Sequence, residues 1–459
     1  MIDSVKPYPE YKDSGVQWLG EVPAHWTIGP GFSAFREKKV KNTGMIEDQV
    51  LSLSYGKIVI KPKEKLHGLV PASFETYQIV DPSDIIIRPT DLQNDWTSLR
   101  VGIARDRGII TSAYMCLRAM EPTIPEYGYL LLHAYDLKKI FYGMGSGLRQ
   151  NLDFSDLKRM PVLTPPVDEQ RAIARFLDHI DRVTRRYIRE QRRLIELLEE
   201  QKQALIQRAV TRGLDPDVPL KDSGIDWLGK IPKHWKVMRS KFIFREVDDN
   251  STTGEETHLS MSQKYGLIPS SHIEERRLMS ESYIGAKICQ KDDLVLNRLK
   301  AHLGVFALAP ELGLVSPDYT VLRALLSINP RYYELVLQTP ACRTEFCKRV
   351  KGIVVGFWRL YTDDFYDIRL PAPPIEEQHK IVKSVDGQLE QMKEAIEHTQ
   401  RQIDLVREYR TRLIADVVTG KLDVRDVVLP DPGPDDDDKD DFDDLDVIED
   451  EGDMDDAEN

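Results

Sequence analysis

Lys12–Trp26 reads KDSGVQWLGEVPAHW and Lys221–Trp235 reads KDSGIDWLGKIPKHW, with ten of fifteen positions identical at an offset of 209 residues. Other pairs keep the spacing. Pro165–Gln170 (PPVDEQ) returns as Pro373–Gln378 (PPIEEQ), and Val210–Asp215 (VTRGLD) returns as Val418–Asp423 (VTGKLD), both at an offset of 208. A fixed period across most of a chain marks a duplicated architecture, and missing it would misread everything else. Fainter echoes lie between these anchors. Leu51–Ser54 followed by Tyr55-Gly56 returns as Leu259–Ser262 followed by Tyr265-Gly266, and Ser112-Ala-Tyr114 as Ser316-Pro-Asp-Tyr319. The halves share a scaffold while the residues between the anchors have diverged, as expected of two similar domains that read different things on a common frame.

Each Pro-Pro pair opens a long helical pattern. From Asp168 to Arg208 and from Glu376 to Asp416 there is no proline and one glycine, Gly387, in stretches rich in Glu, Gln, Arg and Leu. Proline just before the start and acid in the first turn suit a helix N-terminus. In the second copy Ile381, Val385, Leu389, Met392, Ile396, Thr399, Ile403, Val406, Arg410, Leu413 and Val417 follow steps of four and three. The first copy gives Ile173, Leu177, Ile180, Thr184, Tyr187, Gln191, Leu194, Leu198, Gln201 and Leu205. Both read as coiled-coil seams. A helix of this length spans about 60 Å and is too exposed to stand alone, so each is expected to pair with the other. The short linker Thr211–Leu220 makes that pairing antiparallel, with a variable domain at each end of a rod. The same symmetry is expected to bring Tyr11–Trp26 to the end of the second helix near Thr419–Arg425.

The net charge of −13 looks unsuited to an anionic ligand until it is located. Pro430–Asn459 holds seventeen acidic residues and one lysine, a net of −16, which leaves +3 on the first 429 residues. So acidic a segment, poor in apolar residues, is expected to be disordered. It reads either as a solubilising tail or as an anionic segment that competes with nucleic-acid phosphates for basic surface. The chain is long enough for two or three domains. It has no apolar run of eighteen residues, and Met1–Pro9 lacks a signal-peptide pattern, so a cytoplasmic location is expected. Cys116, Cys289, Cys342 and Cys347 form no C-x-x-C pair, which argues against disulfides and a zinc site.

Between the constant parts, short apolar runs alternate with turns. Asp84–Ile87, Gly108–Thr111, Asp293–Leu296 and Gly304–Leu308 read as strands, and Glu126–Tyr142 and Arg331–Val350 as helices.

The order variable domain, helix, variable domain, helix, with W-L-G-x-x-P-x-H-W before each variable part and P-P-x-[DE]-E-Q at the start of each helix, resembles the specificity subunit of type I restriction-modification systems. The resemblance covers the chain to about residue 428 and leaves the acidic tail unaccounted for. It implies an α+β fold: two α/β target-recognition domains separated by a long antiparallel two-helix coiled coil, with a pseudo-twofold repeat. The boundaries that follow are a conserved N-terminal segment (1–26), recognition domain 1 (27–160), conserved helix 1 (161–212), a linker with the repeat of the N-terminal segment (213–235), recognition domain 2 (236–370), conserved helix 2 (371–428) and the tail (429–459). The resemblance further implies a DNA-binding, non-catalytic subunit that reads a two-part target and joins two methylation subunits and motor-nuclease subunits. S-adenosylmethionine, ATP and Mg are expected on those partners, and no cofactor on this chain. Glu169, Gln170, Glu377 and Gln378 are the expected partner contacts. A rigid spacer with a reader at each end independently suits two half-sites at fixed helical phase.

Base edges are read by Arg, Lys, Asn and Gln, and phosphates are held by basic, hydroxyl and backbone N–H groups. One candidate pair of loops follows a strand: Arg88, Thr90, Gln93 and Asn94 in the first copy, Asn297, Arg298, Lys300 and His302 in the second. Another is Ser54, Tyr55 and Lys57 with Gln263, Lys264 and Tyr265, where glycine permits close approach of the backbone. A further pair is Arg149 and Gln150 with Trp358 and Arg359. An ordinary polar loop, or a turn packed on a helix, would read the same way. Trp18, Trp26, Trp227, Trp235, His25 and His234 recur in the constant parts and read as packing. The Gly143-x-Gly-x-Gly147 run follows a helix and its twin loses the spacing, against a phosphate or cofactor loop.

No [ND]-P-P-aromatic methyltransferase motif, phosphate-binding G-x-x-x-x-G-K-[ST] loop, H-E-x-x-H, G-x-S-x-G or nuclease signature is present. The chain therefore reads as no enzyme. A coiled-coil scaffold with two protein-binding modules is the alternative from another class.

Overall fold

The Asp84–Ile87 and Asp293–Leu296 runs become the centres of two matching sheets. The computed structural model describes residues 5–62, 73–90, 92, 95–144, 151–262, 265–272, 283–299, 304–351 and 359–430. The chain divides into two compact units, one holding the described residues up to 191 and from 401 onward, the other those between 192 and 400.

The first unit contains β1 (Tyr11–Asp13), β2 (Glu21–Pro23), β3 (Thr27–Pro30), β4 (Phe35–Glu37), β5 (Leu51–Ser54), β6 (Lys57–Ile60), β7 (Gln78–Val80), β8 (Ile85–Ile87), β9 (Val101–Ile103), β10 (Gly108–Ile110) and β11 (Met115–Ala119). Helices α1 (Pro125–Leu137) and α2 (Phe154–Arg159) and strand β12 (Pro161–Thr164) lead into α3 (Val167–Arg212). The central sheet is antiparallel in the order β4-β11-β8-β9, while β1–β2, β5–β6, β7–β10 and β3–β12 pair as two-stranded ribbons. Successive side chains of a strand face opposite ways. Ile85 and Ile87 thus join the core under α1, while Ile86 joins Leu51, Val80, Ile110 and Cys116 on the opposite face. A strand buried on both faces reads as an uninterrupted apolar run, as this one does.

The second unit contains β13 (Leu220–Asp222), β14 (Lys230–Pro232), β15 (Lys236–Arg239), β16 (Phe244–Val247), β17 (Leu259–Ser262), β18 (Gly266–Pro269), β19 (Lys287–Cys289), β20 (Leu294–Asn297), β21 (Phe306–Leu308), β22 (Gly313–Val315) and β23 (Tyr319–Ala324). These are followed by α4 (Pro330–Leu337), α5 (Pro340–Cys347), α6 (Thr362–Tyr366), β24 (Arg369–Ala372) and α7 (Ile375–Val418). Its sheet order is β16-β23-β20-β21, and each ribbon has the partner that adding twelve to the first unit's strand numbers would give. Leu294 and Leu296 face one core and Val295 the other.

Two helical expectations are revised. The pattern at Arg331–Val350 is two helices, because Pro340 has no amide to continue the first and Thr339 accepts the Cys342 amide to cap the next. The pattern at Glu126–Tyr142 ends as α-helix at Leu137, where Lys139 takes a left-handed φ of 58° before a short 3-10 turn.

Helices α3 and α7 have 46 and 44 residues. Within the first unit Arg410 pairs with Asp181 and Tyr187 donates to Gln402 at 3.4 Å. As α3 advances its partner on α7 recedes, so these parts run antiparallel. In the second unit Ile206, Ala209 and Val210 share a core with Ile381 and Val385. No seam position read on α7 is exposed. On α3 the reading drifts: Leu194 and Gln201 are exposed, while Ile188, Ile195 and Ile206 are inside or half-buried. A helix of 3.6 residues per turn departs from a strict four-three count, and Leu194, Leu197 and Leu198 offer several registers at that point.

Candidate nucleic-acid interface

The paired motifs build the frame. Glu169, buried at the start of α3, accepts hydrogen bonds from Tyr8 Oη (2.5 Å) and Trp26 Nε1 (2.9 Å) and lies 2.8 Å from His25 Nε2. Lys6 pairs with Asp423 and Tyr11 Oη donates to the Lys421 carbonyl, so the N-terminal segment lies along the end of α7. Its twin, Glu377, meets His234 at 2.8 Å, but Trp235 Nε1 has no hydrogen-bond partner among the described residues. Gln170 donates to the Pro122 and Pro165 carbonyls and accepts the Ile124 amide; Gln378 donates to Pro373 and accepts the Asn329 amide. Each glutamine ties a long helix to the residue preceding α1 or α4. Glu169, Gln170 and Gln378 are therefore buried inside the chain rather than offered to a partner, because their hydrogen-bonding atoms are spent on the frame, and Glu377 is the most exposed of the four.

On this frame the candidate loops of the first unit converge beside β9. Ser54 and Lys57 close a two-residue hairpin in which Tyr55 and Gly56 both have positive φ (46° and 78°), a type I′ turn. A Cβ on Gly56 would stand 3.2 Å from Leu99 Cβ, so the hairpin tip lies against the chain leading into β9. The loop after β8 starts at Arg88, whose amide bonds to the Arg100 carbonyl and whose guanidinium pairs with Asp95 at 3.3 Å. Pro89 then accepts the Leu152 amide at 2.9 Å, which joins this loop to the end of the third candidate region.

Arg100 organises the group, a role that no motif in the sequence marked. Its side chain is fully buried, donating to the carbonyls of Thr90 (2.6 Å) and Asp95 (2.7 Å) and to Tyr142 Oη (3.1 Å). Its amide donates to Asp136, whose carboxyl burial pushes up to about 6. Tyr142 donates in turn to the Asp95 carbonyl, and Lys139 lies 4.9 Å from its ring. Burial opposes ionisation of Asp95, but Ser98, Arg100 and Arg88 together hold its carboxyl below the usual range. The loop is thus pinned from beneath, with Arg88, Thr90 and Lys57 partly exposed and Tyr55 exposed around it.

The second unit assembles a similar group from other residues. The Tyr265–Gly266 hairpin lies against β21, with Tyr265 exposed and a Gly266 Cβ position 3.4 Å from Ala307. After β20, Asn297 accepts the Leu299 amide, and Arg298 donates to the carbonyls of Asp318 (2.7 Å) and Pro317 (3.1 Å). Arg298 also accepts the Leu360 amide, which brings it next to exposed Arg359. Gln93, Asn94, Arg149, Gln150, Gln263, Lys264, Lys300, His302 and Trp358 lie outside the described residues.

The buried carboxylates near the opposite ends of β8 and β20 are neutralised. Asp84 is bonded by Lys38 and Arg118, and Asp293 is gripped by Arg323 at 2.9 and 2.7 Å. Burial raises the Cys116 thiol to about 12 and the Cys289 thiol to about 11, which keeps both protonated and unreactive. Among the described residues no His/Cys/Asp/Glu group is arranged to hold a metal ion, and no helix is long and apolar enough to cross a membrane.

The family model for the type I restriction modification DNA specificity domain matches residues 102–197, from β9 into α3. The putative type I restriction enzyme MjaX specificity subunit of Methanocaldococcus jannaschii is 23% identical over 323 residues, covering 66% of this chain and 69% of that protein. The MjaVIII specificity subunit of the same organism is 24% identical over 165 residues, 35% of this chain and 36% of that one. Among solved structures, a chain from work on complex assembly and conformational transition of the type I R-M system aligns over 86% of this chain and 98% of its own length, with a TM-score of 0.59 at 16% identity. That last likeness is one of fold.

Proposed function

We propose, given that the chain belongs to the specificity subunits of type I restriction-modification systems, that it reads a two-part DNA sequence, one half with residues 27–160 and the other with residues 236–370. One observation carries this reading: the same strand frame occurs twice, each time gathering a hairpin tip, the loop after the central strand and the segment before α2 or α6, with different polar residues on each copy. A common frame with exchanged contact residues is what two readers of different base sequences require.

In this account the chain supplies specificity and no chemistry. The long helices, residues 161–212 and 371–428, set the spacing of the half-sites and recruit one methylation subunit per half, and a motor-nuclease subunit joins for cleavage. Adenine methylation, and the S-adenosylmethionine, ATP and Mg it and translocation need, belong to those partners in the cytoplasm. Glu169, Gln170 and Gln378 serve recruitment indirectly, by fixing how each helix leaves its domain.

The test is a hybrid in which residues 236–370 are replaced by the equivalent region of a relative with another target. The modified sequence should change in one half and keep the other. A change in both halves would refute the division of labour.

A further inference from the structure

We infer that Trp96 is an aromatic wedge that enters the base stack of the half-site read by the first unit, an inference that rests on the DNA reading above. Among the described tryptophans it alone is exposed, at 56%, while Trp26 and Trp235 are fully buried and Trp18 and Trp227 pack at the edges of cores. Its indole lies on the Tyr142 ring with centroids 4.5 Å apart and planes 27° from parallel. Leaving so much apolar ring in water is unfavourable.

The support beneath it is rigid. Tyr142 is bonded through its hydroxyl to Arg100 and to the carbonyl of Asp95, the residue preceding Trp96, and Arg100 holds that same carbonyl. The ring is therefore backed by an aromatic face and fixed at its own backbone, so little ordering remains to be done on binding. Arg88, paired to Asp95, and Lys139, beside the Tyr142 ring, place cations next to the platform, where they can meet phosphates flanking an opened step. Apolar wedges unstack base steps and kink the duplex, most readily at pyrimidine–purine steps. The ligand feature assigned to Trp96 is such a step.

The experiment uses the full chain in complex with its methylation subunits and target DNA carrying 2-aminopurine in place of each adenine of that half-site in turn, except the adenine that is methylated, which the methylation subunit itself takes out of the stack. Binding by the unaltered complex should raise 2-aminopurine fluorescence at one step. Trp96→Ala should abolish the rise and weaken cognate binding about 10- to 100-fold, with the salt dependence unchanged because the indole neutralises no phosphate. Trp96→Phe should retain most of both and serves as the folding control. A complex that binds its target without any fluorescence rise, or a Trp96→Ala complex that matches the unaltered one, overturns the wedge alone. Absence of sequence-specific binding by the unaltered complex overturns the DNA reading itself.

Discussion

Glu169 and Glu377 stand at the same place in the two copies, yet one accepts from a tyrosine and a tryptophan beside a histidine and the other meets a half-exposed histidine. A buried donor that loses its acceptor costs about 1–3 kcal/mol. Glu169→Ala should therefore destabilise the protein by about 3 kcal/mol and Glu377→Ala by about 1 kcal/mol or less, read as a shift in urea midpoint; equal costs would show that the Tyr8 and Trp26 bonds contribute nothing. Gln170→Leu and Gln378→Leu, which strand the Ile124 and Asn329 amides, should each cost about 2 kcal/mol, measured the same way. The motifs P-P-x-[DE]-E-Q and W-L-G-x-x-P-x-H-W were legible as repeated signals, but not as halves of one latch, because Trp26 and Glu169 are 143 residues apart. Arg100 was invisible for a related reason: a lone arginine before a strand declares nothing until the carbonyls it holds are brought to it by the loops.

Helix α1 carries two buried titrating groups with opposing effects. Burial, reinforced by the Arg410 charge and opposed by Asp181, lowers His133 to about 4, and its Nδ1 has no hydrogen-bond partner among the described residues. Its contribution to stability is present above the unfolded pKa of about 6.5 and is lost as pH falls toward 4. Asp136, raised to about 6, behaves in the opposite sense: its contribution is complete below the unfolded value of about 3.9 and is lost as pH rises through 6. Between pH 7 and 4.5 the two should nearly cancel, each amounting to about 2 kcal/mol. Asp136→Asn should therefore make the first unit lose stability on acidification, and His133→Gln should make it gain, as read by thermal unfolding at both pH values. Parallel curves for the two variants would contradict the assignment. At this scale four of the strands (β8, β10, β20 and β21) were readable as apolar runs between turns and both long helices from apolar period and their proline-and-acid starts, whereas the split at Pro340 and the register of α3 beyond Ile188 were not, since several leucines satisfy the same count there.

For the whole molecule, the duplication was the most legible feature, because constant segments recur at a nearly fixed offset and the pairing of twelve strands follows in each unit. The proposed contact residues were the least legible, since diverged loops are where two readers of different sequences would have to differ. If the helices set the half-site spacing, inserting seven residues at matched places in both should keep the seam and add about 10 Å. That equals about three base pairs at 3.4 Å each, and the gap in the target should widen accordingly. The most direct test of the central claim is to express the chain with its methylation subunits and map modified adenines across a host genome by single-molecule sequencing. The account predicts one split motif, two fixed half-sites around an unspecified gap; an active complex that marks an uninterrupted sequence, or none, would contradict it.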